Sequence, residues 1–461
     1  MYIARDIDKT LSDWKSEVGR KPILLRGVRQ CGKTSAVRAL AESFDSYVEI
    51  NLEKLPTLHT LFEGDIDIKR ILGQIELRYG KPVTPGKTLI FIDEIQACPR
   101  AITALRYFYE DVPDLHVIAA GSLLEFVLDS GKRKSKVDFP VGRIRSVYMY
   151  PFSFTEFLRG TGKGALADYL LNLNISADEN LAHDLLIAAY KEFLIVGGMP
   201  EAVRKYVETG SFLKCQGVHR DIVTNFKDDF NKYDSHVPSE IIRKVFDYAM
   251  HNVCSQTKAT SAVSGVSAYY FDESIHLLRR AGLVYPVKAS PCDSIPFGSS
   301  EKDANKKLIV FDTGVYLTEC GLDAGLILAS DIFDEMNKGN VVEMQTGLEL
   351  IKSSSPIRDV SLHYWYRSGA NAETDYVINL GANAVPIEVK ASKKGSMQSM
   401  RSFLASHSNA TYGIRVSLES FCRYDNILVY PVYAVSRISE TESISLIPTA
   451  SRGGCLTTQS E

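Results

Sequence analysis

The sequence predicts an α/β fold that opens with a parallel sheet and continues into helical and mixed α/β segments. Three observations lead to this prediction. A glycine-containing loop at residues 27–34 lies between an apolar run and a helix-like stretch, and a second apolar run at residues 88–92 ends in two carboxylates. Strand-like and helix-like segments then alternate through about residue 150. Such alternation is typical of a parallel sheet covered by helices on both faces.

The glycine loop has the residues of a phosphate-binding loop. It reads Gly27-Val28-Arg29-Gln30-Cys31-Gly32-Lys33-Thr34-Ser35, and it fits G-x-x-x-x-G-K-[ST]. Gly27 and Gly32 allow the backbone to wrap around phosphate oxygens, and N–H groups at the start of the next helix face the anion. Lys33 can reach the β- and γ-phosphates, and Thr34 can ligate Mg²⁺. The order strand, loop, helix therefore predicts a P-loop for a nucleoside triphosphate.

Two acidic residues, Asp93 and Glu94, follow the second apolar run. Ligands of open α/β sheets bind at the carboxyl ends of the strands, where these residues are expected to lie. Asp93 suits the position that holds Mg²⁺, directly or through a water molecule. Glu94 suits the base that polarises the attacking water. A solvated pair at a strand end is the alternative, but the accompanying P-loop favours the catalytic interpretation.

Two further polar residues lie near the next predicted strands. Ser122 follows the strand-like residues 115–120, where its hydroxyl can sense the γ-phosphate; a helix N-cap is an equally good interpretation. Arg143 precedes a strand at residues 146–150 and is a candidate arginine finger, which stabilises charge developing on the γ-phosphate. A surface salt bridge explains Arg143 about as well.

Residues 1–160 resemble the AAA+ superfamily of P-loop ATPases, and the wider sequence resembles a bacterial and archaeal ATPase family with a characteristic C-terminal domain. The resemblance rests on the P-loop, residues 89–94, Gly121-Ser122, Gly142-Arg143, residues 151–157 and residues 197–201. It implies ATP binding and hydrolysis, with ATP and Mg²⁺ as cofactors. It leaves the cellular role open.

The middle of the chain is predicted to be helical. Apolar residues recur at helical spacing near residues 185–194, Gly197-Gly198 interrupts them, and Pro200 restarts a helix. The acidic residues 228–233 are interpreted as a solvated helix end rather than a metal site. We expect a helical lid or linker beside the nucleotide.

Residues 236–290 suggest a winged-helix-like module. Its second helix carries Phe271, Ile275 and Leu278 on one stripe. In helix-turn-helix proteins the second helix enters the major groove of DNA. Here the cations Arg279 and Arg280 lie at the C-terminal end, where the helix dipole favours them without DNA. DNA contact therefore stays open, because the basic footprint is thin.

A hairpin in the last third of the chain carries a second group of charged residues. Its arms are residues 375–380 and 385–390. If they pair symmetrically about the loop, Asp375 lies opposite Lys390 and about 7–8 Å from Glu388 on the diagonal. Two carboxylates at that range can bind Mg²⁺ jointly, and Lys390 can stabilise charge on a scissile phosphate.

Together with Glu343 on a preceding helix-like stretch, this pattern resembles the PD-(D/E)xK nuclease superfamily, which has a restriction-endonuclease-like α/β fold. The resemblance assigns Glu343 to the helix acid and Asp375, Glu388 and Lys390 to the core triad. Thr374 stands where a proline is common in that superfamily. A solvated hairpin face with a Lys–Asp cross-strand pair is the alternative, since a fold does not imply a function.

Five segments follow from these patterns. They are an AAA+-like domain (1–160), a helical lid or linker (161–235), a winged-helix-like module (236–290), a nuclease-like domain (291–446) and a disordered polar tail (447–461). The first functional hypothesis is an ATPase that couples nucleotide state to DNA binding or processing. The alternatives are a nucleotide-driven switch that binds a protein partner, with an inactive nuclease-like domain, and a DNA-binding regulator without cleavage.

Composition adds several expectations. The 461 residues suffice for about three domains, and 45% hydrophobic with 24% charged residues is typical of a soluble globular protein. The net charge of -3 gives no global basic signature. Neither a signal peptide nor an apolar stretch of ~20 residues is recognisable, and the eight cysteines form no C-x-x-C pair. We therefore expect a cytoplasmic protein without a membrane segment, in which an oligomer remains open.

Overall fold

A computed structural model describes residues 2–121, 139–173, 182–231, 236–321, 339–367, 372–390 and 397–440. Within these ranges the chain forms a five-stranded and an eight-stranded β-sheet with helices around and between them. The predicted disordered tail, residues 447–461, lies outside the described residues. Across the described ranges, no helix combines the length and the apolar character needed to cross a membrane.

The N-terminal part builds the five-stranded sheet. It contains α1 (Ile7–Ser16), β1 (Ile23–Arg26), α2 (Lys33–Ala41), β2 (Ser46–Asn51), α3 (Ile68–Tyr79), β3 (Thr88–Asp93), α4 (Pro99–Asp111), β4 (His116–Ala120) and β5 (Arg145–Tyr148), with 3-10 turns at Pro56–Phe62 and Ile95–Ala97. The strand order is β2-β3-β4-β1-β5, and every neighbouring pair is parallel. The predicted parallel sheet is thus confirmed, and all residues of β3 and β4 are buried.

The two faces of this sheet bury different side chains, because successive residues of a strand point to opposite faces. On one face Leu24, Ile90 and Val117 pack with α3 and α4. On the other face Leu25 and Phe91 belong to a core that continues through the middle of the chain. Local helices therefore cover both faces of the sheet, α3 and α4 on one and α1 and α2 on the other, and the core of the second face continues into residues that come much later in the sequence.

The middle of the chain is helical, as its periodicity predicts. The helices are α5 (Phe154–Gly160), α6 (Gly164–Asn172), α7 (His183–Val196), α8 (Pro200–Thr209), α9 (Phe212–Asp229), α10 (Ser239–His251) and α11 (Ala268–Arg280). Gly197 and Gly198 separate α7 from α8, which begins at Pro200. The Ser267 side chain caps α11 by accepting a hydrogen bond from the backbone N–H of Tyr270.

The C-terminal part builds the eight-stranded mixed sheet. It contains β6 (Val284–Ala289), a 3-10 turn (Phe297–Ser300), β7 (Lys302–Val310), α12 (Thr313–Glu319), α13 (Gly339–Lys352), β8 (Leu362–Tyr366), β9 (Glu373–Leu380), β10 (Asn383–Val389), α14 (Gln398–Ser406), β11 (Gly413–Ser417), β12 (Cys422–Tyr424), β13 (Ile427–Pro431) and a 3-10 helix (Val432–Glu440). The order is β12-β13-β11-β10-β9-β8-β6-β7. The strand β6, which follows α11, lies between β8 and β7 in this sheet.

The register of the hairpin formed by β9 and β10 differs from the predicted one. The pairing runs from Leu380 with Asn383 to Tyr376 with Ile387, so the turn holds two residues instead of four. Gly381 makes this short turn possible by adopting a positive φ of 61°. The same register, continued by one residue, places Asp375 opposite Glu388 and not opposite Lys390. The shift is two residues, so the side chains keep their predicted faces.

Direct contacts join the N-terminal domain to the later elements. The backbone N–H of Tyr148 donates to the carbonyl of Pro356, and that of Phe152 donates to the carbonyl of Gly198. The Lys352 ammonium donates to the carbonyl of Phe152 at 2.9 Å. The carboxyl-terminal end of β5 and the start of α5 are therefore fixed by the middle helices and by α13.

Candidate functional site

The predicted P-loop occupies the turn between β1 and α2. Gly27 has φ 147°, and a Cβ at this position would lie 2.0 Å from the carbonyl oxygen of Met149. Gly32 caps α2 with φ 99°. A side chain at Gly27 would collide with the neighbouring backbone, and both torsions are costly for other residues. The loop conformation therefore depends on the two glycines of the motif.

Lys33 folds back over the P-loop. Its ammonium donates hydrogen bonds to the carbonyl oxygens of Gly27 at 2.8 Å and Val28 at 3.0 Å. The residue is only 8% exposed. This position keeps one positive charge directly above the loop, where successive N–H groups also favour an anion.

Thr34 and Asp93 lie side by side, as the motif predicts. The Thr34 hydroxyl donates to Asp93 Oδ2 at 3.1 Å, and the Asn51 side-chain amide approaches the same oxygen at 3.4 Å. Burial raises the pKa of Asp93, the charge of Glu94 raises it further, and hydrogen bonds from Thr34 and the Glu94 backbone partly oppose the rise. A divalent cation would compensate this crowded negative charge, so the pair fits Mg²⁺.

Glu94 is the residue after β3, and its backbone is unusual. Its φ is 50°, in the left-handed region that non-glycine residues seldom adopt. Its backbone N–H donates to Asp93 Oδ1 at 3.1 Å, and its carboxylate Oε2 accepts from Gln96 Nε2 at 2.6 Å. The carboxylate thus has a defined orientation beside Asp93.

Arg29 of the P-loop forms an ion pair with Asp229 at the end of α9. Asp229 is 2% exposed, so the interpretation of residues 228–233 as a solvated helix end is wrong for this residue. Burial lowers the pKa of the Arg29 guanidinium, but the bond to Asp229 and its charge outweigh burial and raise it overall. No local pattern predicts this pair, because its members lie 200 positions apart.

Arg5 contacts the backbone of the P-loop, and it is a second residue that the sequence patterns do not identify. Its guanidinium donates to the carbonyl of Cys31 at 3.0 Å, to Glu156 at 2.9 Å and to the carbonyl of Tyr150 at 2.7 Å. No motif contains Arg5, so nothing in the sequence could have found it. Asn51 was detectable in principle, because it ends β2, the neighbour of the strand that carries Asp93.

The two remaining candidates of this domain are Ser122 and Arg143. Ser122 lies outside the described residues, and Arg143 is not brought to the nucleotide site. Arg143 precedes β5, while the P-loop follows the opposite end of the parallel strand β1. A strand of four residues, about 13 Å long, separates these edges. Arg143 instead pairs with Glu110 at 2.8 Å, with its side chain 47% exposed.

The C-terminal acids surround a lysine that sequence analysis did not single out. The Lys307 ammonium, on β7, contacts Glu343 at 2.9 Å and Asp375 at 3.6 Å and also pairs with Glu373. Its side chain is 3% exposed. Burial, followed by the charge of Asp375, raises the pKa of Glu343, while Lys307 opposes the rise. An internal cation therefore lies among the carboxylates that the sequence assigned to a metal.

Glu388 and Lys390 lie next to this cluster and pair with each other. The Lys390 ammonium lies 2.7 Å from Glu388 Oε1. Burial raises the pKa of Glu388, and Lys390 opposes that effect. Asp375 Oδ2 accepts a hydrogen bond from the backbone N–H of Val389. Among the described residues, no group of three or more His, Cys, Asp or Glu side chains is arranged to hold a metal ion.

Comparison with known families matches three parts of the chain. Residues 19–158 match the family model described as AAA domain. Residues 187–325 and 338–446 match two domains of unknown function, DUF8612 and DUF4143. No curated protein sequence matches the chain significantly. The family matches leave the activity of the middle and C-terminal parts undefined.

Among solved structures, three similar chains are a Walker-type ATPase, PABY2304, from Pyrococcus abyssi, the ORC1 protein of Aeropyrum pernix in complex with DNA, and PCH-2 of C. elegans. The first is 15% identical with a TM-score of 0.41, covering 69% of this chain and 96% of its own. The second is 11% identical with a TM-score of 0.29, covering 68% of this chain and 90% of its own. The third is 16% identical with a TM-score of 0.22, covering 40% of this chain and 52% of its own. Every TM-score is below 0.5, so none of these structures defines the activity here.

The AAA domain match and the geometry of the P-loop agree with each other. The match spans β1 to β5, and the loop, its lysine and the Thr34–Asp93 pair all lie within it. Together they support a P-loop, AAA+-like domain that binds and hydrolyses ATP.

Proposed function

We propose that this protein hydrolyses ATP in its N-terminal domain, with Mg²⁺ held by Thr34 and Asp93. The 3.1 Å bond between these two side chains, at the end of the P-loop, carries the proposal. Lys33 binds the β- and γ-phosphates from its position over the loop. Mg²⁺ neutralises charge on the phosphate oxygens.

Glu94 is the base in this proposal. Water attacks the γ-phosphorus, its proton passes to the Glu94 carboxylate, and the bond to the β–γ bridging oxygen breaks, releasing ADP and phosphate. Arg143 of the same chain lies at the other edge of the sheet. A finger role for Arg143 therefore requires a second copy of the chain, and an Arg143→Ala variant should then inhibit mixed oligomers.

An ATPase assay on the full chain tests this function. Lys33→Ala should abolish hydrolysis and weaken ATP binding, because it removes the charge over the loop. Glu94→Gln should retain bound ATP but lose at least about 100-fold in kcat, since only the base is changed. Lys69→Ala, at an exposed lysine on α3, is the matched control and should hydrolyse at the wild-type rate. Full activity in Lys33→Ala would refute the proposal.

The geometry around the P-loop favours a nucleotide-driven switch as the wider role. Arg29 pairs with Asp229 on α9, and a Cβ on Gly282 would lie 3.2 Å from the backbone N of Val28. Two residues of the loop thus touch elements that lead into the C-terminal sheet. A phosphate that attracts Arg29 competes with Asp229, so nucleotide binding acts directly on this contact.

The C-terminal contacts argue against metal-dependent DNA cleavage. Lys307 already supplies positive charge to Glu343 and Asp375. On α11, Arg279 makes two hydrogen bonds to Asp359 at 2.9 and 3.0 Å, which reduces its capacity to contact DNA phosphates.

DNA assays separate the two hypotheses. Supercoiled DNA incubated with the full chain, Mg²⁺ or Mn²⁺, and ATP or ADP should remain intact. Nicking that disappears in Glu388→Ala would establish the nuclease and overturn the inactive-domain proposal. Gel shifts that weaken steeply with salt would favour the DNA-binding regulator, because phosphate contacts release counterions.

A further inference from the structure

Gln96 has no part in the P-loop motif, yet it donates a hydrogen bond to the proposed catalytic base. Its Nε2 donates to Glu94 Oε2 at 2.6 Å, and the residue is 9% exposed. We propose that Gln96 is a positioning residue that sets the direction of the Glu94 carboxylate toward the attacking water. This inference rests on the proposed ATP hydrolysis.

The backbone at Glu94 is held in place together with its side chain. The left-handed conformation, with φ 50°, costs about 1–3 kcal/mol for a residue with a side chain. A hydrogen bond from the Glu94 N–H to Asp93 Oδ1 supports it, and Gln96 follows within the 3-10 turn Ile95–Ala97. The turn therefore brings the Gln96 amide back onto the carboxylate two positions earlier.

The last torsion of a carboxylate side chain is broad, so the group rotates unless contacts restrict it. The short bond from Gln96 restricts that rotation, because it holds Oε2 and with it the direction of the other oxygen. General-base catalysis depends on this direction, since the base must lie within hydrogen-bond reach of the proton it takes.

Gly121, directly after β4, makes room for the Gln96 amide. A Cβ on Gly121 would lie 2.4 Å from Gln96 Oε1 and 3.4 Å from Cγ2 of Ile95. Any larger residue at Gly121 would therefore displace the amide. The position of Gln96 thus depends on the absence of a side chain at Gly121, just past the end of β4.

The oxygen of the Gln96 amide indicates that the contact between Gln96 and Glu94 does not serve stability. Gln96 Oε1 is buried and has no hydrogen-bond partner among the residues that the structure describes. An unsatisfied buried acceptor costs about 1–3 kcal/mol. A buried apolar residue would avoid this cost, so the benefit of Gln96 must come from its contact with Glu94.

Steady-state ATPase kinetics of the full chain test the inference with three variants. Gln96→Ala removes the donor, Gly121→Ala displaces it, and the third variant combines both changes. Each should lower kcat by about 10- to 100-fold, because a misdirected base loses productive geometry. The KM for ATP should stay within about twofold, because no group on the P-loop changes. The double variant should lose no more than the single ones, since both changes remove the same contact.

Matched measurements make each outcome decisive. Gln74→Ala, at an exposed glutamine on α3, should leave kcat unchanged, and melting temperatures should show that every variant is folded. A wild-type kcat in Gln96→Ala overturns the inference, and so does a double variant that multiplies the two losses. If Gly121→Ala does not fold, Gln96→Ala alone decides. An inactive wild-type protein would instead overturn the ATP hydrolysis, and this inference with it.

Discussion

At the scale of single residues, an ionisable side chain of α13, Glu349, is buried where this helix contacts the N-terminal domain. Glu349 is 4% exposed, and its Oε1 accepts hydrogen bonds from Gln345 Nε2 at 2.8 Å and from the backbone N–H of Phe154 at 3.2 Å. Lys352 lies 3.8 Å away. Burial raises the pKa of Glu349 to about 7, although Lys352 and the Phe154 N–H oppose it. This carboxyl therefore titrates near neutral pH.

The raised pKa predicts a pH-dependent stability difference between wild type and Glu349→Gln. Between the ordinary value of 4.5 and about 7 the folded state keeps a proton that the unfolded state has lost, so wild-type stability falls as pH rises. Glutamine keeps an oxygen acceptor but carries no proton to lose. The free energy of unfolding of the variant should therefore rise relative to that of wild type from pH 4.5 to 7, by a few kcal/mol at most. Above pH 7 the difference between the two should stay constant.

Thermal unfolding of both proteins at intervals from pH 4.5 to 8 measures this difference. Glu42→Gln, at an exposed acid, is the control and should follow wild type throughout. A difference between Glu349→Gln and wild type that stays flat across this range would contradict the prediction.

At the scale of elements, Lys307 joins β7 to β9 and α13 at the centre of the C-terminal part. Its ammonium contacts carboxylates from both elements, and its side chain is 3% exposed. The pairing explains how the partly buried Glu343, Glu373 and Asp375 lie close together, because isolated charges would be expelled or neutralised. Position in the sheet, rather than any local motif, creates this cluster.

Replacing Lys307 by methionine should destabilise the protein by about 3–5 kcal/mol, because three carboxylates lose their common counter-charge. The loss should shrink as pH falls and the acids protonate. Lys306→Met is the matched control, since Lys306 pairs with the half-exposed Asp272. Urea unfolding at pH 5 and pH 8 measures both variants, and equal losses in the two would contradict the interpretation.

At the scale of the whole molecule, the Arg29–Asp229 pair links the nucleotide site to the helices that lead into the C-terminal sheet. Asp229 ends α9, which lies beside α12 and α8. A coupling between two sites must act in both directions. Whatever alters the end of α9 should therefore alter ATP affinity, and ATP should alter the end of α9.

Asp229→Asn should raise ATP affinity several-fold, because the Asp229 carboxylate then no longer competes with the phosphates for Arg29. The same change should lower the free energy of unfolding by about 1–3 kcal/mol, through loss of a charged hydrogen bond. Asp228→Asn, at the exposed neighbour, is the control. Binding of a fluorescent ATP analogue measures affinity, and hydrogen exchange at residues 226–231 reports the end of α9. Unchanged affinity in Asp229→Asn would refute the coupling.

The sequence predicted the parts of the site that lie on local motifs. Gly27, Lys33, Thr34 and Asp93 follow from the glycine loop and from a fully apolar strand, because their spacing dictates their contacts. Contacts such as that of Lys307 depend on packing between distant elements, for which one sequence carries no periodic signal. The predicted hairpin register was wrong for a local reason, since Gly381 allows a two-residue turn where a symmetric four-residue loop was expected.

The apolar core that runs from one face of the first sheet into later helices limits how the polypeptide can be divided. Leu25 and Phe91 share this core with Phe193 and Leu194 of α7. A fragment that stops near residue 160 would keep α1 and α2 over the sheet but would expose Phe154 and Phe157 of α5, which pack against Phe193. Exposed apolar surface promotes aggregation. We therefore expect the nucleotide-binding portion to require the later helices, so its enzymology belongs to the intact polypeptide.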